Sequence, residues 1–165
     1  MIIKTDYGEF VCSEDYTEYD CSSLIDCIGN SHCILDIYDG ITALKFSYMN
    51  PSTNIYSFQK SVEEFNNLQS NIKKYGINNI TVLYNNVDNG EISIDDLGLT
   101  HLDLINNITH ESILECSSRT IKEHKPILVC TFKPQALEDY EIHEICGRWI
   151  CKAMNQRLPF SPAKP

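Results

Sequence analysis

Three groups of side chains in this 165-residue sequence have the types and spacing to do chemistry. The first is His110-Glu111, which with Asp103 upstream could work as an acid–base pair. A His beside a Glu at a loop-to-helix junction serves equally well as a capping or surface pair. The second is the set of acids Asp88, Asp95 and Asp96, whose oxygens suit a hard divalent cation. An acid-rich loop is also simply well solvated. The third is the cysteine and histidine complement, eight Cys and five His. Cys21, Cys27 and Cys33 are evenly spaced, with His32 beside Cys33, and His143, Cys146 and Cys151 gather near the end. Structural zinc sites normally show ligand pairs about two to four residues apart. No Cys-x-x-Cys pair is present, and His143-x-x-Cys146 is at most a half-site, so no metal site is expected. A cysteine nucleophile needs a nearby base and a lowered pKa, which a sequence does not display. A Gly-x-x-x-x-Gly-Lys phosphate loop is absent.

The elements that must position these groups follow from periodicity. Residues 1–12 predict a short hairpin around Tyr7-Gly8-Glu9. Ser22 to Ile28 reads as a short helix ended by Gly29. Cys33-Ile34-Leu35-Asp36-Ile37 is a compact, mostly apolar run, the pattern of a buried parallel strand. A helix over 41–48 stops near Asn50-Pro51, and Asn54 to Phe58 is a second strand. Ser61 and Glu64 form a capping box, followed by Val62, Phe65, Leu68 and Ile72 at helical spacing and by Gly76 as a cap. Strands are expected at Ile80–Tyr84, Leu102–Ile105 and Ile127–Phe132, with a helix over Ser112–His124. Ile142, Ile145, Cys146, Trp149, Ile150 and Ala153 recur at helical offsets and predict a last amphipathic helix lying on the sheet. Strands alternating with helices give an α/β chain: a mostly parallel central sheet flanked by helices in three layers. Ligands of such sheets sit at the carboxyl ends of the strands.

With 42% hydrophobic and 22% charged residues the composition is that of a globular protein able to bury its own core. No apolar run spans a bilayer. The N-terminal Met-Ile-Ile-Lys-Thr-Asp-Tyr lacks a secretory pattern. Buried free thiols in a reducing, cytoplasmic compartment are therefore expected. A net charge of −10 argues against broad nucleic-acid binding. The charge is uneven: residues 1–40 hold nine acids and one base, and residues 145–165 hold four bases and no acid. A protein partner could meet the basic end through Arg148, Trp149, Lys152, Arg157 and Phe160. Residues 1–156 read as one domain and 157–165 as a Pro-rich basic tail. The wealth of Asn and Ile fits an AT-rich genome such as that of a giant virus, where the host cytoplasm or a virion would be the setting.

The order Ile34-Leu-Asp-Ile-Tyr-Asp-Gly-Ile, Asn54-Ile-Tyr-Ser-Phe-Gln-Lys-Ser61 and Phe65 to Val82, then Ser93-Ile-Asp-Asp-Leu, Leu102-Asp-Leu-Ile105 and Thr120 to Val129, resembles the FkbM-type family of S-adenosylmethionine-dependent methyltransferases. The resemblance covers residues 5–132 and implies a Rossmann-like class I methyltransferase fold. The family's cofactor motifs have changed. Its first motif glycine falls at Tyr38 and its last at Thr42; Asp36 is kept, and Gly40 lies between the glycine positions. The ribose-binding acid falls at Gln59 and the following Pro at Lys60. The acids after the family's fourth strand fall at Ile108, His110 and Ile113, and its glycine at Glu111. The family continues after the last matched strand into a strand pair, whereas the stripe above predicts a helix here.

Together these departures lead to the expectation of a catalytically inactive methyltransferase-like domain acting as a structural or partner-binding subunit, with no cofactor. The alternative is an active S-adenosylmethionine-dependent O-methyltransferase, in which Asp36, Tyr38, Gly40 and Gln59 line the cofactor and His110 or Glu111 meets the substrate. A metal-binding regulatory module is the third reading.

Overall fold

A computed structural model describes residues 1–135 and 137–154. In chain order it contains β1 (Ile2–Thr5), β2 (Gly8–Val11), α1 (Ile25–Gly29), β3 (Cys33–Ile37), α2 (Gly40–Met49), β4 (Asn54–Gln59), α3 (Val62–Tyr75), β5 (Ile80–Tyr84), β6 (Leu104–Ile108), α4 (Glu111–Cys116), α5 (Ser118–His124), β7 (Ile127–Cys130), β8 (Tyr140–Ile145) and β9 (Arg148–Ala153). The main sheet has seven strands in the order β5-β4-β3-β6-β7-β9-β8. The first five run parallel; β9 is antiparallel to both β7 and β8.

Side chains of β3 show why the sheet needs helices on both sides. Ile34 packs with Ile28, Ala43, Phe46 and Val129 on one face. Leu35 packs with Ile105, Ile113, Leu114 and Ile121 on the other. The period of two in a strand thus feeds two separate cores. α2 carries no apolar stripe because most of its surface is covered: Ile41 through Ser47 are all buried. α3 is amphipathic, as its sequence predicts. The Ser61 hydroxyl accepts from Glu64 N at 3.1 Å, and Gly76 closes the helix at φ 62°. The β1–β2 ribbon is tied to α3, where the Asn71 side chain exchanges two hydrogen bonds with the Val11 backbone.

Two predicted helices differ. The helix over Ser112–His124 is broken into α4 and α5. The Ser117 hydroxyl donates back to Ile113 O at 2.6 Å, and Asp95 accepts from Thr120 N and Arg119 N at the start of α5. The amphipathic helix expected over Ile142–Ala153 is instead the β8–β9 hairpin. Cys146 (φ 51°) and Gly147 (φ 75°) both hold left-handed backbone between Ile145 and Arg148, the geometry of a two-residue hairpin turn. Ile150 and Cys151 then bury on opposite faces, as an interior strand requires. The chain so follows the strand pair from which it was expected to depart. No helix among the described residues is long and apolar enough to cross a membrane.

Candidate functional site

β3 is flanked by β4 on one side and β6 on the other, and the loops leaving β3 and β6 diverge. This is the switch point outside whose carboxyl ends a doubly wound sheet forms its crevice. Asp36, Tyr38, Gly40 and Gln59 all converge there.

Asp36 is fully buried in the plane of the sheet. Its register partners are Ser57 on β4 and Asn106 on β6, and its carboxylate accepts from Ser57 Oγ at 2.6 Å and Asn106 Nδ2 at 3.0 Å. Burial, reinforced by the charge of Asp39, holds the Asp36 carboxyl well above the usual carboxylate range, against the pull of these two donors. Gln59 Nε2 donates to Ser57 Oγ at 3.0 Å, so the amide standing at the ribose-acid position is turned into the same buried network. Asp39, which sequence reasoning passed over, is the N-cap of α2. It accepts from Thr42 N at 3.1 Å and from Thr42 Oγ1 at 2.7 Å. The signal was present as an Asp three residues before a Thr at a helix start.

Tyr38 decides the shape of the crevice. Its backbone is left-handed, φ 61°, the conformation that favours glycine and the one expected where the family carries its first motif glycine. Here a tyrosine side chain stands on that bend. That side chain crosses from the end of β3 to the loop after β5. Its hydroxyl donates to Asn86 Oδ1 at 3.0 Å and accepts from Val87 N at 2.8 Å and Asp88 N at 3.3 Å. The Lys60 ammonium lies 4.8 Å from its ring centroid. A Cβ at Gly40 would meet Leu68 Cδ2 at 3.2 Å and Gln59 Nε2 at 3.3 Å, so those side-chain ends would have to give slightly.

The stretch after β2 closes the crevice from the other side. Tyr16 sits beside Asp39 and Thr42, and burial raises its pKa. Glu18 pairs with the buried Lys45 of α2 at 2.5 Å, and Arg148 stacks 4.7 Å above the Tyr19 ring. What is left is a cavity of about 40 Å³ bordered by Tyr16, Tyr38, Gly40, Gln59 and Leu68. Sites for drug-sized ligands run from about 300 Å³ upward, so the crevice is narrow with Tyr38 in this position.

At the mouth, His110 Nδ1 stands 3.7 Å from Asp88 Oδ2 and 2.9 Å from Thr109 Oγ1, and Lys60 Nζ is 3.8 Å from the same Asp88 oxygen. The expected pairing of His110-Glu111 with Asp103 does not form. Asp103 precedes β6 and His110 follows it, so the whole strand separates them. Glu111 accepts from Gln135 N at 3.0 Å and is engaged in holding that loop. Asp95 likewise caps α5 and is not arranged around a cation site.

The proposed partner residues are partly engaged within the chain. Arg148 lies over Tyr19, Trp149 receives the Lys133 ammonium at 5.3 Å from its ring centroid, and Lys152 faces Glu141 at 3.8 Å. Arg157 and Phe160 lie outside the described residues.

No family model matches the chain, and no curated protein does. Solved structures do. A precorrin-6y C5,15-methyltransferase from Geobacter metallireducens GS-15 is similar over 87% of this chain and 92% of its own, with 14% identity and a TM-score of 0.59. A methyltransferase from Geobacter sulfurreducens is similar over 79% of this chain and 74% of its own, with 10% identity and a TM-score of 0.61. The M. capricolum protein TrmK, solved with S-adenosyl-homocysteine, is similar over 81% of this chain and 66% of its own, with 15% identity and a TM-score of 0.52. The chain has the Rossmann-like fold of the class I methyltransferases. At these identities the likeness is one of fold.

Proposed function

We propose that this chain is a methyltransferase-like domain that has given up methyl transfer and serves as a structural or partner-binding subunit. The observation that carries this reading is Tyr38, held by three hydrogen bonds across the crevice in which the fold would seat a cofactor. The buried network of Asp36, Ser57, Gln59 and Asn106 supports it, because three hydrogen bonds join these groups to one another, while Asn106 Oδ1 is buried without a partner. The FkbM-type resemblance supports descent from an enzyme of that kind. The partner half of the proposal rests on the outer edge of the sheet, which ends at β8, and on the four bases among residues 145–165 that follow it.

A second reading has its own observation. Tyr38 is only half-buried and is held by its hydroxyl, so it could swing out and leave Asp36, Gly40 and Gln59 lining an opened crevice. His110 beside Asp88 would then be the group nearest a substrate. Calorimetric titration with S-adenosylmethionine and S-adenosylhomocysteine separates the two. The first reading expects no saturable heat from the folded chain. Micromolar binding that disappears in Asp36→Ala would establish the second.

A further inference from the structure

The amino ends of the same strands carry a different set of groups. β3 and β6 are parallel neighbours, so the residues that lead into them start side by side. Asp103 Oδ2 accepts from the backbone N of His32 at 2.6 Å and of Cys33 at 3.2 Å. That fixes the carboxylate and leaves Oδ1 facing His101 Nε2, 2.9 Å away. Leu102 between them is buried, while His101 and Asp103 both reach outward. The His32 ring meets the His101 ring edge-on, with centroids 5.5 Å apart. One donor atom from each of the three residues lies within 4.8 Å of the other two. His32 and His101 border an open cleft of about 400 Å³, which Cys33, Asn54, Tyr56 and Thr100 also line.

We propose that His32, His101 and Asp103 form a binding site for a divalent transition-metal ion of the zinc type. Two imidazole nitrogens and one carboxylate oxygen are the donors that zinc and its first-row neighbours take, whereas magnesium and calcium prefer oxygen throughout. A tetrahedral ion with bonds of about 2.0–2.1 Å sets its ligand atoms about 3.3 Å apart. The His101–Asp103 pair is already near that separation. His32 is exposed, and its ring closes the remaining gap by turning about its own side-chain bonds. The two backbone amides on Oδ2 orient the carboxylate, the role that outer hydrogen bonds play for ligating carboxylates generally. Three protein ligands leave a position open to water or to a donor group in the cleft, as in zinc sites that keep an exchangeable ligand. The ion would tie the start of β3 to the start of β6. Nothing in this inference depends on whether the crevice at the opposite end admits a cofactor. Local spacing hides the site, because His32 and Asp103 are 71 residues apart and meet only through strand pairing.

The test is a titration of the metal-free chain with zinc chloride in a phosphine reductant, followed by calorimetry and by thermal unfolding. The expected result is one bound equivalent and a raised unfolding temperature. Both are lost in His32→Ala and in His101→Ala and kept in His143→Ala and Cys146→Ser. Asp103→Asn, which retains an acceptor for the two amides, loses binding while keeping the wild-type circular dichroism. Magnesium chloride gives no heat. Zinc binding that survives in either His32→Ala or His101→Ala puts the ion elsewhere and overturns the proposal, and so does a folded wild type without saturable binding.

Discussion

The two ends of the parallel strands are built from the same β3 and β6 and are finished in opposite ways. At the carboxyl end, polar groups turn inward: Asp36 to Ser57 and Asn106, Gln59 to Ser57, Asp39 to Thr42, Tyr38 to Asn86, Val87 and Asp88. About 40 Å³ of space survives there. At the amino end, two exposed imidazoles beside a pinned carboxylate border a cleft ten times larger, about 400 Å³, which His32 and His101 line. Crevices of this fold belong to the carboxyl end, yet here that end is the better packed. Polar groups at the end of a sheet can find partners within the chain or remain facing water, and most of those at the carboxyl end take the first course.

Phe58 tests how firmly that end is packed. It is fully buried at the end of β4, and its carbonyl accepts from Tyr38 N at 2.9 Å. Phe58→Ala should cost about 3–5 kcal/mol in urea unfolding, since it removes a large side chain from beneath the crevice. A cost under about 1 kcal/mol would mean that the floor collapses easily and that the closure is soft.

Asp36 tests whether the inward-turned network is a stabilising feature or a tolerated remnant. Its folded pKa is raised, through burial and then the charge of Asp39. The folded chain therefore holds the proton more tightly than the unfolded chain. This contribution to stability is fully present below the ordinary Asp value of about 4 and is lost as pH climbs from there through the raised value. Asp36→Asn keeps the shape and removes the titration. It should raise the unfolding free energy at neutral pH and flatten the decline above about pH 4. A less stable Asp36→Asn at neutral pH would show that Ser57 and Asn106 hold an ionised carboxylate, a network kept for its charge.

The turn between β8 and β9 lies at the closed end and delivers Arg148 to the Tyr19 ring. Gly147→Ala gives a result whose sign separates the two structures the sequence can suggest. A Cβ at this position meets nothing within 4 Å, so only the φ of 75° resists it. In the hairpin the substitution should destabilise the chain by about 1 kcal/mol through left-handed strain. In the amphipathic helix that the stripe predicts, it would stabilise by about the same amount. Thermal unfolding of the single variant decides.

That ambiguity shows what the sequence could and could not convey. α3 was legible because its signals are local: Ser61 and Glu64 at the start, a stripe along it, Gly76 at the end. β3 was legible because a short run with apolar residues on both faces, broken only by Asp36, fits a strand with two covered faces. The last hairpin was misread because Ile142 and Ile145 of β8 face opposite cores and β9 buries Ile150 and Cys151 side by side, so their spacing around Cys146-Gly147 imitates helical offsets. The positions of Asp36, Tyr38, Gly40 and Gln59 came from the family resemblance. Their partners did not, because Ser57, Asn106 and the loop after β5 reach them through strand register. The direction of the Tyr38 side chain is a tertiary fact, set by Asn86, Val87 and Asp88, 48 to 50 residues further along the chain.

The smallest expected effect lies at the open end. The His101 side chain is 57% exposed, and its contact with Asp103 is a surface pair. His101→Ala should leave the stability of the metal-free chain within about 0.5 kcal/mol of wild type. A group that does so little for folding, yet is set 2.9 Å from a carboxylate held by two backbone amides, is placed for something other than packing. Urea unfolding with and without zinc chloride reads both halves of that statement in one series. If His101→Ala instead costs as much as a core substitution in the absence of metal, the amino end is as closed energetically as the carboxyl end, and the contrast between them is one of shape alone.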